Sequence, residues 1–406
     1  MEIAQGRFHL TYCTNIHPAE GWSAVFANLR RFAPALKARL SPSAPFGLGL
    51  RLSAREATEL LQGRALEEFR GFLDDEGLYV AIINGFPYGP FHGIPVKDAV
   101  YAPDWRDDAR VHYTLDLIRV LTALLPESVD GGISTSPLSY KPWMPQVSED
   151  DWRTMTANVV RVAEAMIRVK QREGKTLHLD IEPEPDCVIE TSDEAVAFFE
   201  ERLLRFGVPQ LAHLIGCSQD EARVHLLEHI RVCFDCCHFA VEYEDPLEAL
   251  ARLVAAGIRV GRVQLSSALQ VPATADPVVI RRLQPFADAV YLHQVVEQLG
   301  GDLRHFPDLP PALASADGRV PGEWRIHFHV PLFTSRYEAF DSTQAYVRSV
   351  IEAVWRTGAT RHLEIETYTW DVLPGGLKVD LAESIAREFG WVLGVAESLA
   401  GHPRTG

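Results

Sequence analysis

The stretch LHLDIEPEPD, residues 177–186, decides the fold of this chain. Leucine or isoleucine occupies every second position from 177 to 181, while His178, Asp180 and Glu182 occupy the alternate positions. Because successive side chains of a strand point to opposite faces, one face of this strand is apolar and the other is acidic. The pattern predicts a strand whose acidic face ends at Glu182.

Two further stretches have the same arrangement. RVCFDCCHFA, residues 231–240, places Asp235 at the end of an apolar strand, and HLEIETYTW, residues 362–370, places Glu366 at the end of another. Carboxylates that are brought together repel one another unless a cation or shared protons offset their charge. We therefore expect Glu182, Asp235 and Glu366 to form a divalent metal site.

Apolar strands alternate with amphipathic helices along the whole chain. The helix starts carry capping patterns, Ser53 with Glu56, Ser148 with Asp151 and Thr191 with Glu194, and no GxGxxG motif opens a helix. This alternation favours an α/β fold of the (β/α)8 TIM barrel type, formed by residues 1–406 as a single domain, over a dinucleotide-binding sheet. The eight predicted strands cover residues 8–15, 46–52, 78–84, 132–136, 177–182, 232–235, 260–266 and 363–367.

The segment between the seventh and eighth strands is unusually long. It contains two more strand-like runs, AVYLHQVV at 289–296 and EWRIHFHVPLF at 323–333, and the second sets His327 and His329 on one face. We expect residues 270–335 to form a strand-containing insertion at the mouth of the barrel.

Composition limits the class of partner. The 406 residues include 39 basic and 55 acidic side chains, a net charge of −16, which argues against nucleic acid or an anionic membrane as the main partner. The chain shows no apolar run of about 18 residues and no leader-like start, so we expect a cytoplasmic protein without membrane insertion. The oligomeric state stays open.

The cysteines do not form a recognisable framework. Six cysteines are too few for a disulfide scaffold in a chain of 406 residues. Cys233, Cys236 and Cys237 with His238 raise the alternative of a zinc site, but structural zinc sites use two separated ligand pairs. Buried thiols are the favoured interpretation.

The run LDIEPEPD, followed by CFDCCHFA, resembles the xylose isomerase-like TIM barrels, which include sugar isomerases, sugar epimerases and endonuclease IV. The resemblance implies that Glu182, Asp235 and Glu366 are metal ligands and that His238 contacts substrate. The chain departs from the family in GRVQLSSAL, residues 261–269, where Gln264 occupies the place of the usual metal-binding histidine. A glutamine oxygen suits Mg or Mn better than Zn, so the identity of the metal (Mn, Mg or Zn) stays open. Alternatively, a histidine from the insertion completes the coordination sphere, and the candidates are His293 and His329.

A narrower resemblance spans the chain. FHLTYCTNIHPAEGW at 8–22, YLHQVVEQLGGDLRHFPDLPPALA at 291–314, WRIHFHVPLF at 324–333 and LEIETYTWDVLP at 363–374 are similar to the EboE-type metabolite traffic proteins. This resemblance implies a role in a gene cluster for biosynthesis or export of a small metabolite, with a polyol or cyclitol-like compound as partner.

The predicted function is a metal-dependent isomerase or epimerase that acts on a small polyol metabolite through an enediolate. Glu182 and Glu366 are the expected proton-transfer groups, because they end separate strands and could face the substrate from two sides. The residues expected to contact substrate are Asn84, His92, His238, His293, His329 and Trp370.

Two other classes of protein stay open. A non-catalytic carrier would keep the pocket and tolerate Gln264 in place of a stronger ligand. A phosphodiesterase like endonuclease IV would need further metal-binding histidines and a basic surface for DNA. Glu184 is interpreted as a solvated loop carboxylate, and His178 and His362 as structural hydrogen-bonding groups.

Overall fold

The computed structural model describes residues 1–92, 95–272, 277–316, 322–337, 339–373 and 380–401. The strands within these ranges are β1 (Glu2–Ile3), β2 (Phe8–Tyr12), β3 (Phe46–Arg51), β4 (Leu78–Asn84), β5 (Gly131–Thr135), β6 (Leu177–Ile181), β7 (Ile230–Asp235), β8 (Val260–Leu265), β9 (Ser267–Val271), β10 (Val295–Leu299), β11 (Asp302–Phe306), β12 (Glu323–Val330), β13 (Arg336–Tyr337), β14 (Phe340–Ser342) and β15 (His362–Ile365).

The α-helices are α1 (Trp22–Leu40), α2 (Ala54–Leu60), α3 (Ala65–Glu76), α4 (Asp108–Leu124), α5 (Glu149–Glu173), α6 (Ser192–Phe198), α7 (Val208–Ile215), α8 (Gln219–His229), α9 (Cys236–Val241), α10 (Pro246–Ala255), α11 (Pro277–Arg282), α12 (Leu309–Ser315), α13 (Gln344–Thr357) and α14 (Leu381–Ala400). π-Helical turns at Phe199–Gly207 join α6 to α7. Short 3-10 helices cover Thr14–Ile16, Lys97–Tyr101, Lys141–Trp143, Gln284–Phe286 and Tyr368–Val372.

Eight parallel strands form the barrel, β2 to β8 and β15. Their order in the sheet is β2-β15-β8-β7-β6-β5-β4-β3, and β1 adds an antiparallel edge to β2. A parallel bridge between Cys13 and Gly49 connects the end of β2 to β3 and nearly closes the sheet on itself. The carboxyl ends of all eight strands therefore meet at one mouth, which is where TIM-barrel active sites lie.

The predicted (β/α)8 fold is confirmed. Every predicted barrel strand is present, and its ends agree with the prediction to within three residues. Several predicted strands are longer at their carboxyl ends than the observed strands, because the last polar residues leave the sheet. After β2, for example, the chain enters the 3-10 helix Thr14–Ile16. The single-domain organisation of residues 1–406 stays a prediction.

Two of the three predicted capping boxes form. Ser53 with Glu56 and Ser148 with Asp151 each make both reciprocal hydrogen bonds. Thr191 accepts the hydrogen bond from the Glu194 N–H, but the Glu194 carboxylate accepts from the backbone of Glu190 and from Lys141 instead. Only one of the two hydrogen bonds of the expected third box therefore forms, because Lys141 and the Glu190 N–H group bind the Glu194 carboxylate.

A second sheet of six antiparallel strands follows β8 in the chain. Its order is β11-β10-β12-β9-β14-β13, and β9 begins two residues after β8 ends. It spans residues 267–342, which extends the expected insertion of 270–335 at both ends. Strand β12 packs against α9, the short helix that continues from β7, so the second sheet lies against the barrel mouth.

A buried charged layer fills the barrel interior below the mouth. The Arg262 side chain is fully buried, with Nε 3.2 Å from Asp180 Oδ2 and Nη1 3.3 Å from Glu364 Oε2. Burial opposes the charge of Arg262, but the two carboxyl groups raise its pKa. Burial raises the pKa of Glu364 despite this contact, whereas that of Asp180 stays below its usual value because His178 also binds it. One guanidinium on β8 thus contacts carboxyl groups of two different strands, β6 and β15, across the barrel interior.

Glycines make room for this layer. A Cβ atom at Gly49 would lie 1.8 Å from Glu364 Oε1, and one at Gly261 would lie 1.8 Å from Asp180 Oδ1. Neither contact is sterically allowed, and the carboxyl groups cannot move because Arg262 and Asn84 hold them in place. The glycines at these two strand positions are therefore required by packing.

Removing the guanidinium will destabilise the fold strongly. In Arg262→Leu, Asp180 and Glu364 lose their buried counter-charge, and we expect the free energy of unfolding to fall by about 3–5 kcal/mol. Urea denaturation followed by circular dichroism measures the change. Arg39→Gln, which breaks an exposed ion pair with Glu383, is the control and is expected to leave stability unchanged within error. Equal effects of the two variants would contradict the assigned role of Arg262.

A buried glutamate connects α14 to the mouth. Glu388 accepts hydrogen bonds from Thr367 Oγ1 at 2.7 Å and from the Leu332 N–H at 3.2 Å, and burial raises its pKa to about 7. A carboxyl group whose pKa is raised on folding contributes stability that is complete below its unfolded pKa of 4.5 and is lost as pH rises through about 7.

Glu388→Gln will therefore flatten the pH dependence of stability. We expect the difference in the free energy of unfolding between pH 4.5 and pH 8 to shrink by about 1–3 kcal/mol in the variant, because one titrating group is removed. Urea denaturation of wild type and variant across this range, in metal-free buffer, gives the difference. Parallel curves for the two proteins would show that Glu388 does not titrate in this window.

Candidate metal centre

A small cavity lies between the barrel mouth and the second sheet. Its volume is about 60 Å³, room for roughly two water molecules. The segment after β4 helps to close it, since the Val96 and Lys97 N–H groups both donate to Val290 O. Lys97 Nζ also donates to Tyr291 O at 2.6 Å and to Asp308 at 2.7 Å. The cavity wall contains three carboxylates and three imidazoles, Glu182, Glu184, Glu366, His238, His327 and His329.

Asp235 lies at the floor of this cluster. It ends β7 and caps α9, because its Oδ1 accepts hydrogen bonds from the Cys237 N–H, the His238 N–H and Ser266 Oγ. Its second oxygen, Oδ2, is buried and has no hydrogen-bond partner. Burial opposes ionisation of Asp235, but the nearby His238 and His329 imidazoles and these hydrogen bonds hold its pKa below the usual value.

Glu182 and Glu366 complete the acidic cluster. Glu182 follows β6 and Glu366 follows β15, where Asn15 Nδ2 donates to Glu366 Oε1 at 2.8 Å. Burial raises the pKa of both glutamates well above the usual range, and the charge of Asp235 raises both further. Each carboxyl group thus opposes the ionisation of its neighbours, and a divalent cation among them would offset this repulsion.

Three imidazoles line the cavity, and the Nδ1 atom of each is held by a hydrogen bond. The Nδ1 atom of His238 lies 2.9 Å from Pro183 O, that of His329 lies 3.0 Å from Glu366 O, and that of His327 lies 2.8 Å from Gln294 Oε1. A carbonyl oxygen only accepts, so each Nδ1 carries a proton. This is the tautomer of metal-binding histidines, fixed by a hydrogen bond to the other ring nitrogen. The Nε2 atom of His329 has no hydrogen-bond partner, whereas those of His238 and His327 lie 3.2 Å apart and form a hydrogen bond with each other.

Burial keeps two of these rings neutral. It lowers the pKa of His329 to about 4 and that of His327 well below its usual value. The His329 Nε2 atom is buried and has no hydrogen-bond partner. Ligand atoms of Asp235, His238 and His329 lie within 4.8 Å of one another. The unpartnered oxygen of Asp235 and the unpartnered nitrogen of His329 fit a divalent ion bound between them.

The structure brings together most of the residues that the sequence singled out. Glu182, Glu366, His238, His329 and Asn84 all line the cavity, and Asp235 lies directly beneath it. The Asn84 amide also donates to Glu364 Oε1 at 2.7 Å. It therefore connects the cavity wall to the charged layer below.

Gln264 is placed outside the cavity wall. Its Oε1 accepts a hydrogen bond from Cys233 Sγ at 3.0 Å, and its Nε2 donates to Asn84 Oδ1 at 3.2 Å. Both ends of the amide are therefore engaged by barrel residues. The sequence left open whether Gln264 or a histidine of the insertion completes the coordination sphere. In the structure, the histidine His329 of the second sheet has an Nε2 atom without a hydrogen-bond partner.

Three other expected substrate contacts also lie outside the cavity wall. His293 is fully buried, with Nδ1 2.9 Å from His327 O and Nε2 bonded to Asp288. His293 thus supports the backbone of β12, the strand that carries His327 and His329. The Nδ1 atom of His92 lies 3.0 Å from the phenol oxygen of Tyr291. Trp370 packs in the apolar core.

Two cavity residues were missed by the sequence reading. Glu184 was expected to be solvated, but it is only 5% exposed because Tyr101 OH donates to its Oε1 at 2.8 Å and the chain folds over it. Burial raises its pKa to about 7. His327 was noted only as sharing a face with His329. The alternation of His327, Phe328 and His329 predicted that both histidines share one face of a strand. No pattern in the sequence indicated that Glu184 is buried.

Comparison with solved structures identifies the fold as a xylose isomerase-like TIM barrel. A protein of that description from Mycobacterium smegmatis, in complex with magnesium, is 13% identical, with 97% of each chain covered and a TM-score of 0.50. The D-allulose 3-epimerase from Methylomonas sp. is 12% identical (97% of this chain, 98% of that chain, TM-score 0.48), and the IolI protein with a zinc atom is 10% identical (97% and 100%, TM-score 0.47). No family model and no curated protein matches the chain. At these identities the comparisons establish the fold alone.

No helix in the described ranges combines the length and the apolar composition needed to cross a membrane.

Divalent metal will stabilise the folded protein. A ligand that binds only the folded state raises stability by about 2.7 kcal/mol at one hundred times its dissociation constant, and the midpoint of thermal unfolding rises accordingly. Asp235→Asn keeps the capping oxygen but removes the charge, so we expect a smaller rise at the same metal concentration. Scanning fluorimetry of chelator-treated protein with Mn, Mg or Zn gives both values. Asp75→Asn, on an exposed helix end, is the matched control, and equal shifts in the two variants would contradict the assignment.

Proposed function

We propose that this chain is a metal-dependent isomerase or epimerase of a small, uncharged polyol. The observation that carries the proposal is the convergence of Glu182 and Glu366 with the unpartnered Nε2 of His329 in the wall of one cavity, with Asp235 directly beneath them. Three carboxyl groups at a water-poor site need a counter-charge, and a divalent ion ligated by oxygen and imidazole supplies it.

The two glutamates are suited to proton transfer. When bound, a divalent ion would polarise the carbonyl of an α-hydroxyketone and acidify the neighbouring carbon-bound hydrogen. In the order of the sheet, β8 and β7 separate the strands that carry Glu366 and Glu182, so the two carboxyl groups approach the cavity from different sides. One removes the carbon-bound proton, leaving an enediolate, and the other delivers a proton to the opposite face. Asn15 holds Glu366 in position through its amide.

The cavity favours a neutral substrate. Two cationic side chains of the described wall are already paired: Arg51 with Glu56 at 3.0 Å and Lys97 with Asp308 at 2.7 Å. A phosphate group would have to break these pairs. Aromatic rings form much of the remaining wall and suit the apolar face of a sugar or cyclitol ring, Phe86, Phe91, Tyr101, Tyr291 and Tyr368.

The narrower proposal is that the chain works as an EboE-type protein of metabolite traffic. In that case the polyol or cyclitol is an intermediate in the biosynthesis or export of a small metabolite. The support is the resemblance of four sequence stretches. The location we propose is the cytoplasm.

The second candidate function is a non-catalytic carrier of the same class of metabolite. The observation that favours it is Gln264, which lies outside the cavity wall with both ends of its amide bonded to Cys233 and Asn84, so that it adds no ligand to the site. A phosphodiesterase like endonuclease IV is disfavoured by the net charge of −16.

Exchange of carbon-bound hydrogen tests the proposed reaction. We expect NMR spectra of ketoses and cyclitol ketones in D2O, with metal-loaded protein, to show catalysed deuterium incorporation. Glu182→Gln and Glu366→Gln are each expected to slow it by about 10²- to 10⁴-fold, the usual contribution of an acid–base group. Glu68→Gln, on the exposed face of α3, is the control and should retain full activity.

Three results decide between the candidates. Exchange that depends on both glutamates supports an epimerase, and exchange that depends on one supports an isomerase. Saturable binding of a polyol by metal-loaded protein without any exchange would favour the carrier. Elemental analysis beside these assays is expected to show bound metal in wild type and less in Asp235→Asn.

A further inference from the structure

We propose that the stretch HLLEH of helix α8, residues 225–229, binds a divalent transition-metal ion through its two histidines and Glu228. The site lies at the opposite end of the barrel from the candidate metal centre, because His229 ends α8 immediately before β7 begins. The inference goes beyond the proposed function, since the three residues lie outside the cavity wall at the mouth. The role expected of the ion is structural.

The spacing of the two histidines places both imidazoles on one face of the helix. Residues four apart on an α-helix are neighbours, with about 5–6 Å between their Cβ atoms, and histidines at this spacing can bind one zinc ion. The rings of His225 and His229 lie with their centroids 6.4 Å apart and an angle of 29° between their planes. Ligand atoms of His225, Glu228 and His229 all lie within 4.8 Å of one another.

The contact between His229 and Glu228 is the central observation. His229 is fully buried, and its Nδ1 donates to Leu177 O at 2.6 Å, so the Nε2 atom of the neutral ring carries a lone pair. This Nε2 atom has no hydrogen-bond partner among the described residues, yet it lies 3.5 Å from Glu228 Oε2. A nitrogen lone pair and a carboxylate oxygen repel each other at this distance unless a positive charge lies between them.

Both groups have the protonation state that metal binding requires. Burial lowers the pKa of His229 to about 4, so the ring is neutral at pH 7. Burial opposes ionisation of Glu228, but the Lys170 ammonium and, more weakly, the Arg259 guanidinium hold the pKa of this carboxyl group below its usual value. A neutral imidazole and an ionised carboxylate are the forms that ligate a metal ion.

The geometry fits two ligands of a tetrahedral ion. An imidazole nitrogen and a carboxylate oxygen that each lie about 2.1 Å from zinc, at a tetrahedral angle, are about 3.4 Å apart. His225 contributes a further buried nitrogen without a hydrogen-bond partner, Nδ1. Two imidazoles and one carboxylate favour Zn, Co, Ni or Cu over Mg. Three protein ligands leave the fourth position of the ion to water.

Neighbouring groups orient the ligands from outside the site. Leu177 O, at the start of β6, fixes the tautomer of His229, which is how a backbone carbonyl commonly supports a metal-binding histidine. Lys170 Nζ, on α5, lies 2.5 Å from Glu228 Oε1, so Oε2 is the carboxylate oxygen that faces His229. An ion at this site would therefore connect α8 to groups that are held by β6 and α5.

Metal stoichiometry tests the site on α8. Full-length protein is stripped with chelator, loaded with Zn, freed of excess metal by gel filtration and measured by elemental analysis. We expect His225→Gln to bind about one ion per chain fewer than wild type, because one of three ligands is lost. Glu228→Gln is expected to show the same loss, and circular dichroism establishes that each variant is folded. Zn should also shift the ring-nitrogen NMR signals of His225 and His229.

A matched control comes from the neighbouring helix. His213 is exposed on α7, which packs against α8, so His213→Gln removes one imidazole from the same region without touching the site. This variant should keep the metal content of wild type. A loss equal to that of His225→Gln would mean that surface histidines bind Zn without a defined site, and it would overturn the proposal.

Asp235→Asn separates this proposal from the proposed function. An ion that is lost in His225→Gln but kept in Asp235→Asn supports the site on α8, whether or not the mouth also binds metal. Metal content that falls in Asp235→Asn but is unchanged in both α8 variants overturns the site on α8 and leaves the proposed function intact. Wild type without bound metal overturns both, and a proton between His229 and Glu228 then accounts for their contact.

Discussion

Buried negative charge is the constraint on which the rest of this structure depends. The barrel strands send carboxyl groups inward at two levels, and each level needs a positive partner because water cannot screen it. At the lower level the chain supplies that partner itself, as Arg262 between Asp180 and Glu364. At the upper level, imidazoles lie beside Glu182, Asp235 and Glu366, and we propose that a divalent ion supplies the positive charge there. The lower level is thus neutralised by the chain itself, whereas the upper level is the candidate site of chemistry.

The second sheet explains how the site is completed. Strand β12 crosses against α9 and directs two alternate side chains, His327 and His329, toward the barrel mouth. Its backbone is held by His293, which bonds to His327 O, and its side chains are held by Gln294 and by the backbone of Glu366. The second sheet thus contributes two histidines to the cavity wall and also fixes their orientation.

The short helix α9 connects the candidate metal centre to the fold. Asp235 uses one oxygen to cap this helix and leaves the other free in the cavity. The same turn carries His238, whose ring reaches across to His327. A change at Asp235 therefore alters both a charge and the position of His238, which is why an asparagine, able to keep the cap, is the informative replacement.

The sequence by itself determined the strands and the order of the main site residues. Period-two alternation at 177–182, 231–235 and 362–366 depends only on local geometry, so it located Glu182, Asp235 and Glu366 at strand ends. Local alternation could not decide which of Gln264, His293 and His329 joins these carboxyl groups in the candidate metal centre. That choice depends on which side-chain atoms are already engaged. Gln264 is bonded to Cys233 and Asn84, and His293 to Asp288 and the β12 backbone, so only His329 retains a free nitrogen toward the cavity.

Only the tertiary structure revealed Glu184 and the pairing of His238 with His327. Glu184 follows a proline turn and has the local sequence of an exposed loop, yet Tyr101, more than eighty residues earlier, covers it. The 3.2 Å contact between His238 and His327 joins residues 89 apart in the chain. Local periodicity carries no information about such distant contacts, because they are set by how the second sheet packs on the barrel and by which oxygen accepts each ring proton.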